Sequence, residues 1–189
     1  MINAQLLKGL KMENPTTLYH GSMYKQTELM PGYKRSGKLQ TWDGVESNLH
    51  LYASTDKREA ELLSVGSAAE KEFDSNRYIE HDGNIWLFTN KPITMDDILG
   101  LTVYIYTIPF DEKDNWQKNN NPYNNIDTEW TTRNTVKNIK VQQIDIRSLL
   151  AGKTVTLTTA PPDVKIEFLN QRYKEETKVY KFWVASATR

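Results

Sequence analysis

Three side chains that could do chemistry lie in or directly beside strand-like segments of this sequence, and the first is His20. It closes the segment Thr16–Tyr19 and is followed directly by Gly21 and Ser22. A histidine at a strand end can offer a ring nitrogen to a ligand, and a glycine after it lets a ligand approach bare backbone N–H and C=O groups. The segment taken alone is as typical of a core strand whose histidine is satisfied by a neighbour.

The other two are Tyr52, within the strand-like run Leu49–Ser54, and Glu129, next to Trp130 after a long asparagine-rich stretch. An exposed aromatic face can stack on a flat cationic ring, and a carboxylate can stabilise developing positive charge. Without a wider pattern, an ordinary strand aromatic and a solvated strand-end charge explain them as well.

Cations and aromatics lie together in the irregular segment 22–48, where Lys34 and Arg35 follow a Pro-Gly turn. Arginine and lysine meet phosphate readily, so the segment could fold over an anionic ligand that carries a flat ring. A solvated surface loop is the plainer alternative.

Composition excludes several classes of function. The 189 residues contain 24 basic and 24 acidic side chains, no net charge and no cysteine. The length favours one domain with its own core. A disulfide framework, a thiol nucleophile and a cysteine-ligated metal are excluded, and no bulk charge attracts nucleic acid or an anionic membrane. The spacing of His20, His50 and His81 matches no common zinc arrangement, so we expect no metal site.

Location is inferred from what the sequence lacks. No apolar run approaches the roughly 18 residues that a membrane span needs, and residues 1–10 are too short and mixed for a secretory signal. These features predict a cytoplasmic protein.

Strand and helix patterns supply the elements that must position these residues. The segment 102–109 is β-branched or aromatic almost throughout, which predicts a central strand. Asp56 and Glu59 form the pattern of a capping box before a helix with one apolar face, on which Leu63 lies. The predicted strands are 16–19, 49–54, a hairpin over 76–90, 102–109, 128–132, a last core strand at 141–146, 153–159 and 180–184. The predicted helices are 2–12, 57–72, 94–99 and 164–173.

The order of these pieces resembles the ADP-ribosyltransferase superfamily, in its histidine–tyrosine–glutamate branch. That branch includes the diphtheria-toxin-like transferases and the poly-ADP-ribose polymerases. The resemblance rests on His20-Gly21-Ser22 leaving a first strand, Leu51–Ser54 leading into a helix, a strong mid-chain strand, and Glu129-Trp130 near a late strand. The small bacterial and phage enzymes of the rifampin ADP-ribosyltransferase kind are similar. Each motif is short, so their order and spacing carry the likeness, over residues 17–150.

The resemblance implies an α+β fold. Two small, mainly antiparallel sheets would pack around an NAD cleft, with a few flanking helices. Residues 1–150 would form the catalytic domain, with its core at 17–150. Residues 151–189 would be a C-terminal extension packed on the same domain.

The resemblance also implies roles for individual residues. His20 would hold a ribose hydroxyl of NAD, and the main chain of Gly21 would bind the nicotinamide carboxamide. Tyr52 would stack on the nicotinamide, and Glu129 would bond the 2′-hydroxyl of its ribose. His20, Tyr52 and Glu129 would be catalytic.

Ser22 and Arg35 would complete the NAD-binding set, and no metal is implied. Position 127 departs from the family pattern, because arginine-modifying members carry glutamate or glutamine where this chain has Asp127. An arginine acceptor is therefore disfavoured. The rifampin enzymes use an aspartate in place of the glutamate and are shorter, so the resemblance gives little support to drug modification.

The implied function is mono-ADP-ribosyl transfer. NAD would be a substrate, nicotinamide would be released, and the acceptor would be an unidentified protein, nucleic acid or small molecule. An NAD glycohydrolase, a transferase of RNA 2′-phosphate to NAD, and a catalytically inactive binding module on the same fold are the alternatives.

Overall fold

A computed structural model describes residues 14–37, 41–42, 45–46, 49–73, 75–81, 84–89, 93–119, 127–159 and 179–183. The helices predicted at 2–12 and 164–173 lie outside the described residues, as does much of the asparagine-rich stretch. Within the described residues, no helix combines the length and the apolar character that crossing a membrane requires.

The main sheet has six strands in the order β10-β7-β1-β4-β9-β8, and all its pairings are antiparallel. Its members in chain order are β1 (Thr17–Ser22), β4 (Leu51–Ser54), β7 (Thr102–Pro109), β8 (Gln117–Lys118), β9 (Glu129–Thr132) and β10 (Lys140–Asp145). The chain thus places the His20 strand in the middle of the sheet, between β4 and β7.

A second sheet of four strands has the order β12-β11-β6-β5. It comprises β5 (Ser75–His81), β6 (Asn84–Thr89), β11 (Thr154–Thr159) and β12 (Val179–Trp183). The β5–β6 hairpin is antiparallel, as its Asp-Gly turn signal predicts, and β11 joins β6 in parallel. A small pair, β2 (Thr41–Trp42) with β3 (Val45–Glu46), lies apart from both sheets in the strand pairing.

Four α-helices are described: α1 (Gly32–Ser36), α2 (Lys57–Phe73), α3 (Met95–Leu99) and α4 (Ile146–Leu150). A single 3₁₀ turn covers Glu112–Asp114. Helix α3 begins at Thr94 with the reciprocal capping box in which Thr94 and Asp97 each bond the other's backbone N–H. The predictions of α2 and α3 are confirmed.

Helix α2 packs against both sheets and shares its apolar face with one core cluster. That cluster combines Val65 and Ala69 of α2 with side chains of β6, β7, β11, α3 and α4. A second cluster covers the other face of the main sheet and includes Leu18, Tyr106 and Val136. Because β7 supplies side chains to both clusters, its nearly continuous apolar sequence is explained.

Two predictions about burial need correction. The strand predicted in the core at 141–146 is β10, an edge strand that pairs with β7 and exposes most of its side chains, Val141 included. Leu63, predicted on the buried face of α2, is 43% exposed. In both cases periodicity identified the element, but neighbours distant in sequence decided which face is covered.

The observed architecture is α+β, with mainly antiparallel sheets and a few helices. That much of the predicted fold class is confirmed.

Candidate functional site

The site begins where the main sheet separates. Strand β1 pairs with β7 along its whole length, but its register with β4 consists of the one pair Tyr19 and Ser54. Beyond that pair the two strands diverge, so the segment His20–Ser22 lies beside a gap in the sheet rather than beside a continuous partner.

A side chain bridges this gap. The Nδ1 atom of His20 lies 2.8 Å from the carbonyl oxygen of Tyr52 on β4. Because a carbonyl only accepts, Nδ1 must carry the proton of the neutral ring, which leaves the lone pair of Nε2 as an acceptor. Burial lowers the pKa of His20, the bond to Tyr52 opposes that shift, and the nearby positive charge of Arg35 adds to it. The ring is therefore neutral at neutral pH.

Gly21 is required by the packing of α2. A Cβ atom at this position would lie 2.0 Å from the carbonyl oxygen of Ala60 and 2.8 Å from the Cβ of Ser64. Sequence analysis assigned Gly21 to ligand binding; the structure supplies a packing reason for the same residue. The close approach brings the first turns of α2 to the edge of the gap.

Tyr52 is 38% exposed on β4. Its ring meets the ring of His50 edge to face, with centroids 6.2 Å apart. Desolvation raises the pKa of the Tyr52 hydroxyl, and the negative charge of Glu129 raises it further. The Tyr52 side chain and the Glu129 carboxylate are thus close enough to interact electrostatically.

Glu129 opens β9 directly opposite Ser54 of β4. Its Oε1 accepts a hydrogen bond from the side-chain amide of Asn119, and the Asn119 backbone N–H donates to the Glu129 carbonyl at 2.9 Å. Desolvation raises the pKa of Glu129, the Asn119 bond opposes that shift, and the charge of Glu59 adds to it. The carboxylate is held in place by one amide and lies near a second carboxylate.

One cavity of about 330 Å³ is lined by all three predicted catalytic residues, His20, Tyr52 and Glu129. Gly21 and Glu59 line it too. We refer to it as the carboxylate cavity. The predicted catalytic residues are therefore brought together, although they come from three separate strands.

A second cavity of about 280 Å³, the arginine cavity, is lined by Arg35, Ser22 and the same His20, Gly21 and Tyr52. The two cavities meet along these shared residues. All six predicted NAD-site residues thus line one cavity or both, and Arg35 and Ser22 belong to the arginine cavity.

Arg35 lies in α1 with its guanidinium 6.0 Å from the centroid of the Tyr24 ring. The ring of Tyr24 is exposed and lines the arginine cavity. Ser22 is buried, and its hydroxyl accepts from the Tyr24 N–H at 3.1 Å. Ser22 therefore stabilises the turn after β1, while Arg35 supplies the positive charge of the cavity.

Tyr106 belongs to the core and also shapes the site. It is fully buried, its hydroxyl donates to the Tyr24 carbonyl at 2.8 Å, and it accepts from the Gln26 N–H at 2.7 Å. Its ring lies 6.1 Å from that of His20. Tyr106 thus holds the chain that leaves β1 against the sheet.

Glu59 was not predicted as a site residue, because its spacing from Asp56 predicted a capping box. In the structure the Asp56 N–H donates to the Ser54 hydroxyl at 2.9 Å, and Asp56 itself accepts from the Arg58 N–H. The Glu59 carboxylate accepts instead from the hydroxyls of Ser54 and Thr128. The predicted reciprocal bond is therefore wrong, and only tertiary contacts could reveal where the carboxylate goes.

His50 lines the arginine cavity beside Tyr52, whereas Asp127 lines neither cavity. The Nε2 atom of His50 accepts from Arg133 at 3.1 Å. The side chain of His81 is outside the described residues. Asp127 is fully exposed and pairs with Lys118 at 3.8 Å. Across the described ranges, no three His, Cys, Asp or Glu side chains are grouped as metal ligands would be.

Comparison of this chain with protein-family models, curated proteins and solved structures found no match.

Proposed function

We propose that this protein is an NAD-dependent mono-ADP-ribosyltransferase, which cleaves the bond between nicotinamide and ribose and transfers ADP-ribose to an acceptor. One observation carries the proposal: a neutral histidine, an exposed tyrosine ring and a partly desolvated carboxylate line a single cavity at a gap between two strands. The motif order that resembles the superfamily names these same three residues.

The carboxylate of Glu129 fits the demands of this bond cleavage. As nicotinamide departs, positive charge develops on the ribose in an oxocarbenium-like state. A carboxylate already fixed by Asn119, in a partly dry cavity, stabilises that charge more than it stabilises the ground state. Glu129 would also accept a hydrogen bond from the 2′-hydroxyl of the ribose.

His20 and Tyr52 fit the two halves of the nicotinamide riboside. The free Nε2 lone pair of His20 can accept a hydrogen bond from a ribose hydroxyl, because Nδ1–H is committed to Tyr52. The exposed ring of Tyr52 can stack on the cationic pyridinium. Arg35 in the adjoining cavity would bind the pyrophosphate.

The size of the site agrees with a dinucleotide. Each cavity approaches or reaches the volume of a typical small-molecule pocket. The carboxylate cavity would take the cationic nicotinamide end and the arginine cavity the anionic phosphates, so the charges of the two ends match the charges of the cavities.

Glu129→Gln tests the proposal. We expect nicotinamide release from NAD to fall by about 10²-fold or more, while NAD affinity stays within about tenfold, because the lost charge acts mainly in the transition state. Nicotinamide is measured by chromatography and NAD affinity by calorimetry.

Tyr52→Ala should instead raise KM for NAD by about tenfold, because stacking on Tyr52 also stabilises bound NAD before the reaction.

Glu112→Gln is the matched control, since Glu112 is exposed in the 3₁₀ turn and lines neither cavity. Parental activity in Glu129→Gln would overturn the assignment.

Running the reaction with labelled NAD, with and without cell lysate, separates transfer from hydrolysis. Label on a macromolecule or added small molecule indicates transfer, and free ADP-ribose alone indicates a glycohydrolase.

A further inference from the structure

The carboxylate cavity holds a second acid, Glu59, to which the proposed reaction as described above gives no role. It comes from the first turn of α2, whereas Glu129 comes from β9. The two carboxylates therefore enter one cavity from two different elements. The pKa of Glu129 is raised in part by the charge of Glu59, which places the two groups within electrostatic reach.

Glu59 is anchored through one of its two oxygens. Its Oε2 accepts from the Ser54 hydroxyl and, at 2.5 Å, from the Thr128 hydroxyl. Ser54 is itself fixed, because its oxygen accepts from the Asp56 N–H at 2.9 Å. Both hydrogen bonds of the Glu59 carboxylate within the described residues end on Oε2, so Oε1 has no protein partner there. A carboxylate with one oxygen anchored and the other open is suited to accept a proton.

The lining of this cavity offers few other groups for that task. His20 has a lowered pKa and an Nε2 that the proposed function assigns to a ribose hydroxyl. Glu129 is held by Asn119 and assigned to the ribose cation. Two carboxylates at one glycosidic centre commonly divide the work between charge stabilisation and proton transfer.

We propose that Glu59 is the general base for the oxygen nucleophile, which is either water or the hydroxyl of an acceptor. This inference rests on the proposed function. The nucleophile's oxygen forms a bond to ribose C1′, and the bond from C1′ to the nicotinamide nitrogen breaks. The bonding pair goes to the ring nitrogen, so nicotinamide leaves neutral. The proton of the nucleophile passes to Glu59 and then to solvent. A hydroxyl-bearing acceptor follows as the preferred class.

If Glu59 only links α2 to β4 and β9 through hydrogen bonds, a different result is expected. The amide oxygen of Glu59→Gln can still accept from Ser54 and Thr128, so this variant keeps the hydrogen bonds but loses the base. Glu59→Ala loses the hydrogen bonds and the base. Azide separates the two roles further, because it is a strong nucleophile that carries no proton at neutral pH and needs no base.

The test measures nicotinamide release from NAD in water and in sodium azide for the parent, Glu59→Gln, Glu59→Ala and Glu129→Gln. We expect both Glu59 variants to lose about 10²-fold or more in water. In azide, the rate of nicotinamide release by both Glu59 variants should rise at least tenfold. ADP-ribosyl azide should form at the same time, as identified by mass spectrometry. Azide should not restore Glu129→Gln, because the cation itself is then unstabilised. Glu70→Gln, an exposed position on the same helix, is the matched control.

A parental rate for Glu59→Gln in water overturns the base assignment. The base assignment is also overturned if Glu59→Gln melts at the parental temperature, releases nicotinamide slowly in water and is not accelerated by azide. That outcome indicates a positioning role. If Glu59→Ala fails to fold, Glu59→Gln alone decides. A parent that releases no nicotinamide at all overturns the proposed function instead, so the two failures are distinct.

Discussion

The chemistry proposed for the site depends on how individual side chains are desolvated and anchored. His20 is kept neutral by burial and by the positive charge of Arg35, and its bond to Tyr52 selects the tautomer. Opposing effects act on the pKa of Glu129, because desolvation and the charge of Glu59 raise it while the hydrogen bond from Asn119 lowers it. The ionisation of Glu129 is therefore adjustable through Asn119 without touching the carboxylate.

Asn119→Ala should move the acidic limb of the pH profile for nicotinamide release to higher pH. As pH falls, protonation of Glu129 removes the charge that, in the proposed reaction, stabilises the ribose cation. Because the pKa of Glu129 is raised, this loss should begin above the usual range of a glutamate. Removing the amide that favours the charged form raises that pKa further. The variant keeps the backbone bond from Asn119 N–H to the Glu129 carbonyl.

The measurement is log kcat/KM against pH for the parent, Asn119→Ala and the control Gln142→Ala, which alters the exposed face of β10. Protonation of His20 would also reduce kcat/KM at acidic pH. The acidic limb is therefore assigned to Glu129 only if Asn119→Ala displaces it. A limb that stays in place in Asn119→Ala would contradict the assignment.

At the scale of elements, the site results from two departures from regular packing. Strands β1 and β4 separate after one register pair, which opens the cavities. Helix α2 approaches β1 so closely at Gly21 that no Cβ fits, which brings Glu59 to the same place. The position of α2 therefore places the second carboxylate, that of Glu59, where the main sheet opens.

Gly21→Ala should destabilise the fold. The added methyl group would lie 2.0 Å from the Ala60 carbonyl oxygen, which is backbone and cannot rotate away. We expect the free energy of unfolding to fall by about 2 kcal/mol or more, as overpacking typically costs. Urea denaturation measures it. Gly100→Ala is the control, because its Cβ would meet backbone oxygens no closer than 3.4 Å at an ordinary φ of −77°. Equal stability of the two variants would show that α2 can shift without cost.

At the scale of the whole molecule, α2 lies between the two sheets and shares one core with α3, α4 and β11. The other face of the main sheet has its own core around Leu18 and Tyr106. Strands β1 and β4, which line both cavities, contribute their buried side chains Leu18, Leu51 and Ala53 to this second core. A ligand that spans both cavities would contact β1, β4, β9, α1 and α2 at once, and should stabilise them together.

NAD should raise the melting temperature of the protein. Binding to the folded state alone contributes about 2.7 kcal/mol when free ligand is a hundredfold above Kd. For a chain of 189 residues that corresponds to a rise of about 5–10 °C. Differential scanning fluorimetry measures the rise in Glu129→Gln, which should bind NAD without consuming it. Arg35→Ala should reduce the shift at the same NAD concentration, and an unchanged melting temperature in Glu129→Gln would contradict NAD binding.

The sequence by itself determined the elements whose local signals are strong. The β-branched run at 102–109 predicted β7, the Asp-Gly turn predicted the β5–β6 hairpin, and Thr94 with its downstream aspartates predicted α3. These elements were predictable because propensity, capping and turn chemistry act over a few residues. His20, Tyr52 and Glu129 were proposed as site residues from the resemblance in motif order, and that assignment stays a prediction.

Only the tertiary structure decided which side chains meet. The divergence of β1 from β4, the exposure of Leu63 and the edge position of β10 depend on partners distant in sequence. Glu59 shows the reason most clearly: locally it completes a capping box, yet hydroxyls from β4 and from the residue before β9 turn its carboxylate into the cavity. The bond from Thr128 comes from a segment 69 residues away and takes the place of a local capping bond, and no pattern of spacing encodes that exchange.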